Sequence, residues 1–189
     1  MMNDHRLYLQ IQPAAQVIPE IAQYALIPGL VKSPVARDDL HATIGTLGRF
    51  EATPWPLITD IQRRLSGVAL PSFRMIVDLL AGGQKSALLL ASERLAGFEH
   101  LQSQLADLLR DAIAFLGLDT HLWRRDIKPH VTLGYRGRPS PTQAIDPISW
   151  TADRLRLVES LHGTGQHIIH DSWPLTRVRQ LGFAFDDGR

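Results

Sequence analysis

One five-residue pattern occurs twice in this chain. His41-Ala42-Thr43-Ile44-Gly45 and His130-Val131-Thr132-Leu133-Gly134 both read histidine, any residue, threonine, aliphatic, glycine. Alternating apolar and polar side chains mark each copy as a short strand. In the second copy alternation sends Val131, Leu133 and Tyr135 into a core, and His130, Thr132 and Gly134, with Arg136, to the opposite face. Histidine and threonine then share one face, about 6.5–7 Å apart along the strand. The first copy repeats the arrangement with His41 and Thr43.

The surroundings of the two copies also match. Strand, helix, loop and motif strand occur in that order across Arg6–Gly45 and again across Ser86–Gly134. The first run has a strand at Arg6–Gln12 and a helix within Ala14–Leu26 whose regular part starts near Pro19. The second has a strand at Ser86–Ala91 and a helix over Ala96–Leu116, with Phe98, Leu101, Leu105, Leu108, Leu109, Ile113 and Leu116 at helical spacing and Gly117 beyond its end. Between the runs, Thr53-Pro54 predicts an N-cap and first-turn proline for a helix reaching Leu65, and Ser72–Leu80 a strand turning at Gly82-Gly83. Asp119–Lys128 reads as a loop and Pro139–Pro147 as a proline-rich connection. Ile148–Trp150, Leu155–Leu161 and His167–Ile169 read as strands, and Thr176–Phe185 as a last strand or ordered tail. The expected core includes Leu7, Leu9, Ile11, Ile44, Ile76, Leu89, Phe98, Leu105, Val131, Leu133 and Leu157. A duplicated unit packed about a pseudo-two-fold axis brings His41 and His130 into one cleft.

Composition narrows the chemistry. The chain has 189 residues, 44% hydrophobic content, a net charge of +1 and no cysteine. That length allows one domain, residues 1–189, built from two intimately packed lobes. The absence of cysteine removes disulfides, thiolate nucleophiles and cysteine-based zinc sites. No polybasic tail announces nucleic acid. No signal peptide is read at the N-terminus and no apolar run approaches the ~20 residues of a membrane helix, so a cytoplasmic monomer without membrane contact is expected.

Two facing histidines suit acid–base chemistry near neutral pH, because an unperturbed imidazole titrates at about 6.5. Phosphodiester cleavage uses both functions: a base takes a proton from the attacking oxygen and an acid protonates the leaving oxygen. Thr43 and Thr132 offer hydroxyl donors to non-bridging phosphate oxygens. Gly45 and Gly134 are expected to keep the cleft wall low, Arg136 to add a cation, and Tyr8, of opposite parity to Leu7 and Leu9, to face the cleft. This chemistry requires no metal and no cofactor.

On these residues the chain resembles the 2H phosphoesterase superfamily, and within it the branch called 2'-5' RNA ligases or RNA 2',3'-cyclic phosphodiesterases. The resemblance is carried by His41-Ala42-Thr43-Ile44 and Pro129-His130-Val131-Thr132-Leu133, and supported by Leu157-Val158-Glu159-Ser160, Gly165, His167 and Trp173-Pro174-Leu175. It covers about Arg6 to Leu175. It implies an α+β fold of two pseudo-symmetric lobes of antiparallel sheet flanked by helices, with the site between them. It also implies hydrolysis of a 2',3'-cyclic phosphate on an RNA end or cyclic nucleotide, usually to a 2'-phosphate, with weak 2'-5' ligation in some members. By the same resemblance His41 is the proton donor to the leaving oxygen, His130 the base that activates water, and Thr43 and Thr132 the phosphate-binding threonines. Tyr135 stands where many ligase-like members carry arginine, and His167 where tyrosine is usual.

Other features have plainer readings. Arg49, Lys128 and the Arg124-Arg125 pair are expected as solvated charges. His162, His167 and His170 straddle a hairpin and are read as surface residues, with His167 turned toward the cleft, rather than as a metal site. Phe73, Trp55 and Trp150 are read as core or cleft-rim aromatics. A non-catalytic phosphate or RNA-end binding module, or an enzyme of another small cyclic phosphate or 2'-5' oligonucleotide, fits the same motifs.

Overall fold

The repeat appears as two antiparallel strand pairs. A computed structural model describes residues 5–115, 128–161 and 164–177. β1 (His5–Ile11) leads through α1 (Ile18–Tyr24) to β3 (Ala42–Phe50), and β6 (Ser86–Leu90) leads through α3 (Ala96–Phe115) to β7 (His130–Tyr135). β1 pairs with β3 and β6 with β7, both antiparallel. β9 (Arg154–Leu161) and β10 (Gln166–Thr176) extend the first pair; β5 (Phe73–Gly82) and β8 (Ser140–Ala152) extend the second. The two-residue strands β2 (Ser33–Pro34) and β4 (Leu70–Pro71) complete the sheets, in the orders β3-β1-β9-β10-β4 and β2-β7-β6-β5-β8. Among the described residues only the short β4–β10 pairing is parallel. The fold is α+β. Among the described residues no helix is long and apolar enough to cross a membrane.

Helices lock the halves together. α3, which follows a strand of the second sheet, packs on β3 of the first as well as on β5, while α1 reaches β7 of the second sheet. α2 (Trp55–Leu65) lays Leu57, Ile58, Ile61 and Leu65 inward against α3 and β10. One apolar cluster runs through both halves and includes Leu7, Leu9, Ile44, Phe98, Leu105, Val131 and Leu133, all fully buried. Removing each such side chain from water stabilises the fold by about 1.5–3 kcal/mol.

Both motif strands break their ladder at the same place. In the first, Leu9 faces Gly45 and Gln10 faces Thr43, so Ile44 has no opposite number. In the second, Ala87 faces Gly134 and Leu88 faces Thr132, so Leu133 is skipped. Each is a bulge that turns the aliphatic residue and the following glycine both into the core and returns the next residue to the cleft face. Strict alternation therefore misplaces three residues. Tyr135 is 51% exposed rather than in the core. Gly45 and Gly134 are buried rather than lining the cleft. A Cβ on Gly134 would stand 2.7 Å from the Ser33 carbonyl oxygen and 2.9 Å from Pro34 Cα, so this glycine makes room for β2. The Ile44 carbonyl freed by the first bulge accepts from Gln102 Nε2 of α3 at 2.7 Å.

Other expectations are corrected by pairing. Ile76 lies opposite Ser149 and is half-exposed, because Phe73, Met75 and Val77 are the inward set of β5. The proline-rich 139–147 stretch belongs largely to β8, an edge strand on which a missing N–H costs no ladder bond. Thr53 does not cap α2; its hydroxyl donates to Glu159 Oε1 at 2.9 Å. Phe73 and Trp150 are core residues, and Trp55 is exposed beside His170. The Ile113 side chain, Leu116, Gly117, Arg124, Arg125, His162 and the tail beyond residue 177 lie outside the described residues.

Two stability changes follow. Gln102→Leu leaves the buried Ile44 carbonyl unpaired and is expected to cost about 1–3 kcal/mol in urea unfolding. Gly134→Ala pushes β2 off the motif strand and is expected to cost about 1–3 kcal/mol in the same measurement.

Candidate active site

Strand β3 begins one residue after His41, and Asp39 closes the 3-10 turn Arg37–Asp39 that precedes it. The turn places the Asp39 carbonyl under the imidazole, and His41 Nδ1–H donates to it at 2.6 Å. β7 opens in the same way. His130 Nδ1–H donates to the Lys128 carbonyl at 2.8 Å, again two residues upstream. A carbonyl only accepts, so each Nδ1 carries the proton and each neutral ring keeps Nε2 as its lone-pair nitrogen. The two halves thus prepare their histidines identically.

The rings share one electrostatic environment. β3 and β7 lie against each other, and charge on His130 or His167 is felt at His41. Burial is the largest influence on His41, and together with those neighbours it pushes the imidazole down to about 4, against the Asp39 carbonyl bond that raises it. Tyr8 stacks on His41, with ring centres 5.4 Å apart and planes inclined by 24°. Its phenol is held well above the usual tyrosine range by burial, then by Tyr135 and Asp39, and so stays a neutral hydroxyl. Tyr135 comes from the second sheet and Tyr8 from the first, and charge on Tyr135 is felt at Tyr8.

Thr43 and Thr132 are half-buried on the faces that carry His41 and His130. Opposite Thr43 sits Gln10, which is buried and whose Oε1 has no partner among the described residues. Arg136 lies just past the end of β7 in a left-handed conformation, φ 59°, with its N–H on the Lys85 carbonyl. It is therefore not a continuation of the strand face of His130. The residue on that face beyond Thr132 is Tyr135.

Sequence reasoning did not assign Asp39, Gln10 or Tyr135 to the site. Asp39 carries no motif signal, and Tyr135 was hidden by the bulge. His167 does join the cleft: its ring meets His41 edge-on at 5.9 Å, and its Nδ1–H donates to Asp39 Oδ1 at 3.0 Å. His170 is committed elsewhere, donating Nε2–H to Glu159 Oε2 at 2.7 Å. Among the described residues no group of three or more His, Cys, Asp or Glu side chains is arranged to hold a metal ion.

A family model described as the 2'-5' RNA ligase superfamily matches residues 12–164. No curated protein matches the sequence. The chain is similar in structure to a phosphoesterase, with TM-score 0.69 and 21% identity over 92% of this chain and 99% of the other. It is similar to E. coli LigT in apo form, with TM-score 0.68 and 23% identity over 93% and 99% of the two chains. The complex of E. coli LigT with 3'-AMP aligns with TM-score 0.66 and 22% identity over 93% and 99%. These structural likenesses show the fold.

The half-buried, neutral His41 has a signature in stability. Its folded-state value lies below the unfolded one, so as pH falls through about 6.5 the unfolded chain binds the proton first. The resulting loss is absent above about pH 6.5 and grows down to about pH 4. Acidification over that window is expected to destabilise the wild-type chain more than His41→Gln, by an amount of order 2 kcal/mol in urea unfolding.

Proposed function

The chain belongs to the 2'-5' RNA ligase superfamily, and from that membership we propose that it hydrolyses 2',3'-cyclic phosphate ends of RNA or nucleotides to 2'-phosphates. One observation carries the reading. Two matched imidazoles, each pinned through Nδ1 to the carbonyl two residues upstream, are coupled in charge between the halves of the molecule.

The steps follow from that pairing. A water oxygen attacks phosphorus while His130 Nε2 takes its proton. The bond from phosphorus to the 3' oxygen breaks, and His41 Nε2–H protonates that oxygen. Thr43 and Thr132 donate to the non-bridging oxygens, where charge concentrates. His41 is neutral in the empty cleft, and an incoming phosphodiester anion supplies the negative charge that favours its protonation. Proton uptake thus accompanies substrate binding. The cycle returns the enzyme with His130 carrying the proton that His41 lost, and exchange with solvent resets both. With the 5'-hydroxyl of a second strand in place of water, the same groups open the cyclic phosphate to a 2'-5' linkage: His130 takes the hydroxyl proton, the 5' oxygen bonds to phosphorus, and the bond to the 3' oxygen breaks as His41 protonates it. E. coli LigT crystallises with 3'-AMP, a nucleotide whose phosphate sits on the ribose 3' oxygen.

The test is turnover of a 2',3'-cyclic mononucleotide with the product phosphate located by phosphorus NMR. The wild-type protein is expected to give a 2'-phosphate in EDTA, and His41→Ala and His130→Ala each to lower kcat by at least ~100-fold with unchanged circular dichroism. Saturable binding without turnover would make this a binding module. Activity lost in EDTA and restored by a divalent ion would overturn the metal-independent mechanism.

A further inference from the structure

His167 and Asp39 do something the two-histidine mechanism does not use. His167 stands on β10 in register with Ser160 of β9, and through it with Arg6 of β1. Its ring meets His41 edge-on at 5.9 Å and Tyr8 edge-on at 6.3 Å. Asp39 holds both imidazoles, His41 with its backbone carbonyl at 2.6 Å and His167 with its carboxylate at 3.0 Å. With Nδ1 engaged, Nε2 is the nitrogen His167 has left for a ligand. Its side chain keeps 21% of its surface exposed, so a ligand can reach it.

A bare carboxylate at Asp39 would repel an anion entering this cleft. A histidine placed over it changes the sign of the contact. The protonated ring balances the carboxylate and presents a charge-assisted donor, roughly twice as strong as a neutral one. We infer that His167 is a third phosphate-binding group of this cleft, giving Nε2–H to a non-bridging phosphate oxygen while Asp39 fixes its ring and balances its charge. The inference rests on the proposed function only in requiring a phosphate in the cleft, and it does not need turnover. The titratable groups that face His167 are Asp39 at the end of the 3-10 turn, His41 just before β3 and Tyr8 on β1, with Arg6 in register through Ser160.

Sulfate is the probe, because it stays doubly charged across the range in which histidines titrate. His167→Gln keeps an amide donor near the Nε2 position but cannot take up a proton. Calorimetry is expected to show the variant binding sulfate about tenfold more weakly than wild type near pH 5.5, with the ratio closing toward one near pH 8.5. Because charge on His167 is felt at His41, the same ratio is also read in a His41→Gln background, where that coupling is gone and the pH-dependent difference is expected to persist. Independently of folding in the variant, the ring nitrogen spectrum of the wild-type protein is expected to show His167 Nε2 responding to sulfate. A ratio near one at every pH, an equal loss at every pH, a silent His167 Nε2, or no sulfate binding by wild type would each overturn the inference. Absence of cyclic-nucleotide turnover with the sulfate result intact would instead sink the hydrolase reading and leave this one standing.

Discussion

The site depends on one hydrogen bond made twice, from a histidine Nδ1–H to the carbonyl two residues upstream. It is local, spanning two residues at the start of each motif. It fixes the ring and its tautomer, and leaves Nε2 as the free nitrogen in both halves. What the bond cannot do alone is bring the two rings together. That falls to the cross-bracing helices, above all α3, which follows β6 but grips β3 through Gln102 and its apolar face. The bulges complete the arrangement. By turning an aliphatic residue and a glycine both inward, they anchor each motif strand in the core within two residues of its threonine.

Behind the first sheet, on the face away from the cleft, a second polar cluster holds β10 in place. Glu159 is fully buried, yet its carboxyl lies below the usual range: burial raises it, but hydrogen bonds from His5, His170 and Thr53 outweigh that. His5 Nδ1 meets Oε1 at 2.5 Å and His170 Nε2 meets Oε2 at 2.7 Å. A buried carboxylate is tolerated only when it is satisfied in this way, and removing one partner leaves a charge stranded. His170 is the residue skipped in the β9–β10 register, which lets it reach Glu159 while His167 faces the cleft. His167 and His170, three residues apart in sequence, thus serve unrelated ends.

Much of this was legible in the sequence, for identifiable reasons. The repeated motif, the helical spacing of Phe98 to Leu109 and the alternation in β1 are each signals of period and residue type. They located the motif strands and a set of core residues of which all but Ile76 are buried. Three of the failures share a cause. Tyr135, Gly134 and Ile76 were assigned by counting parity along a strand, and parity fails where a bulge adds a residue or an inward set starts one position off. Asp39 was illegible because its two contacts come from backbone and side chain in a turn without a motif. The fate of Thr53 was decided by Glu159, more than a hundred residues away. Local rules favour a helix cap there, but satisfying a buried carboxylate is the stronger demand.

The central claim is that both motifs grip the same anion. A crystal structure of the protein with a 2'-phosphorylated nucleoside tests it most directly. The account predicts one phosphate within hydrogen-bond distance of Nε2 of both His41 and His130, with the hydroxyls of Thr43 and Thr132 on its oxygens. A phosphate held by one motif alone, or bound away from both rings, would contradict it.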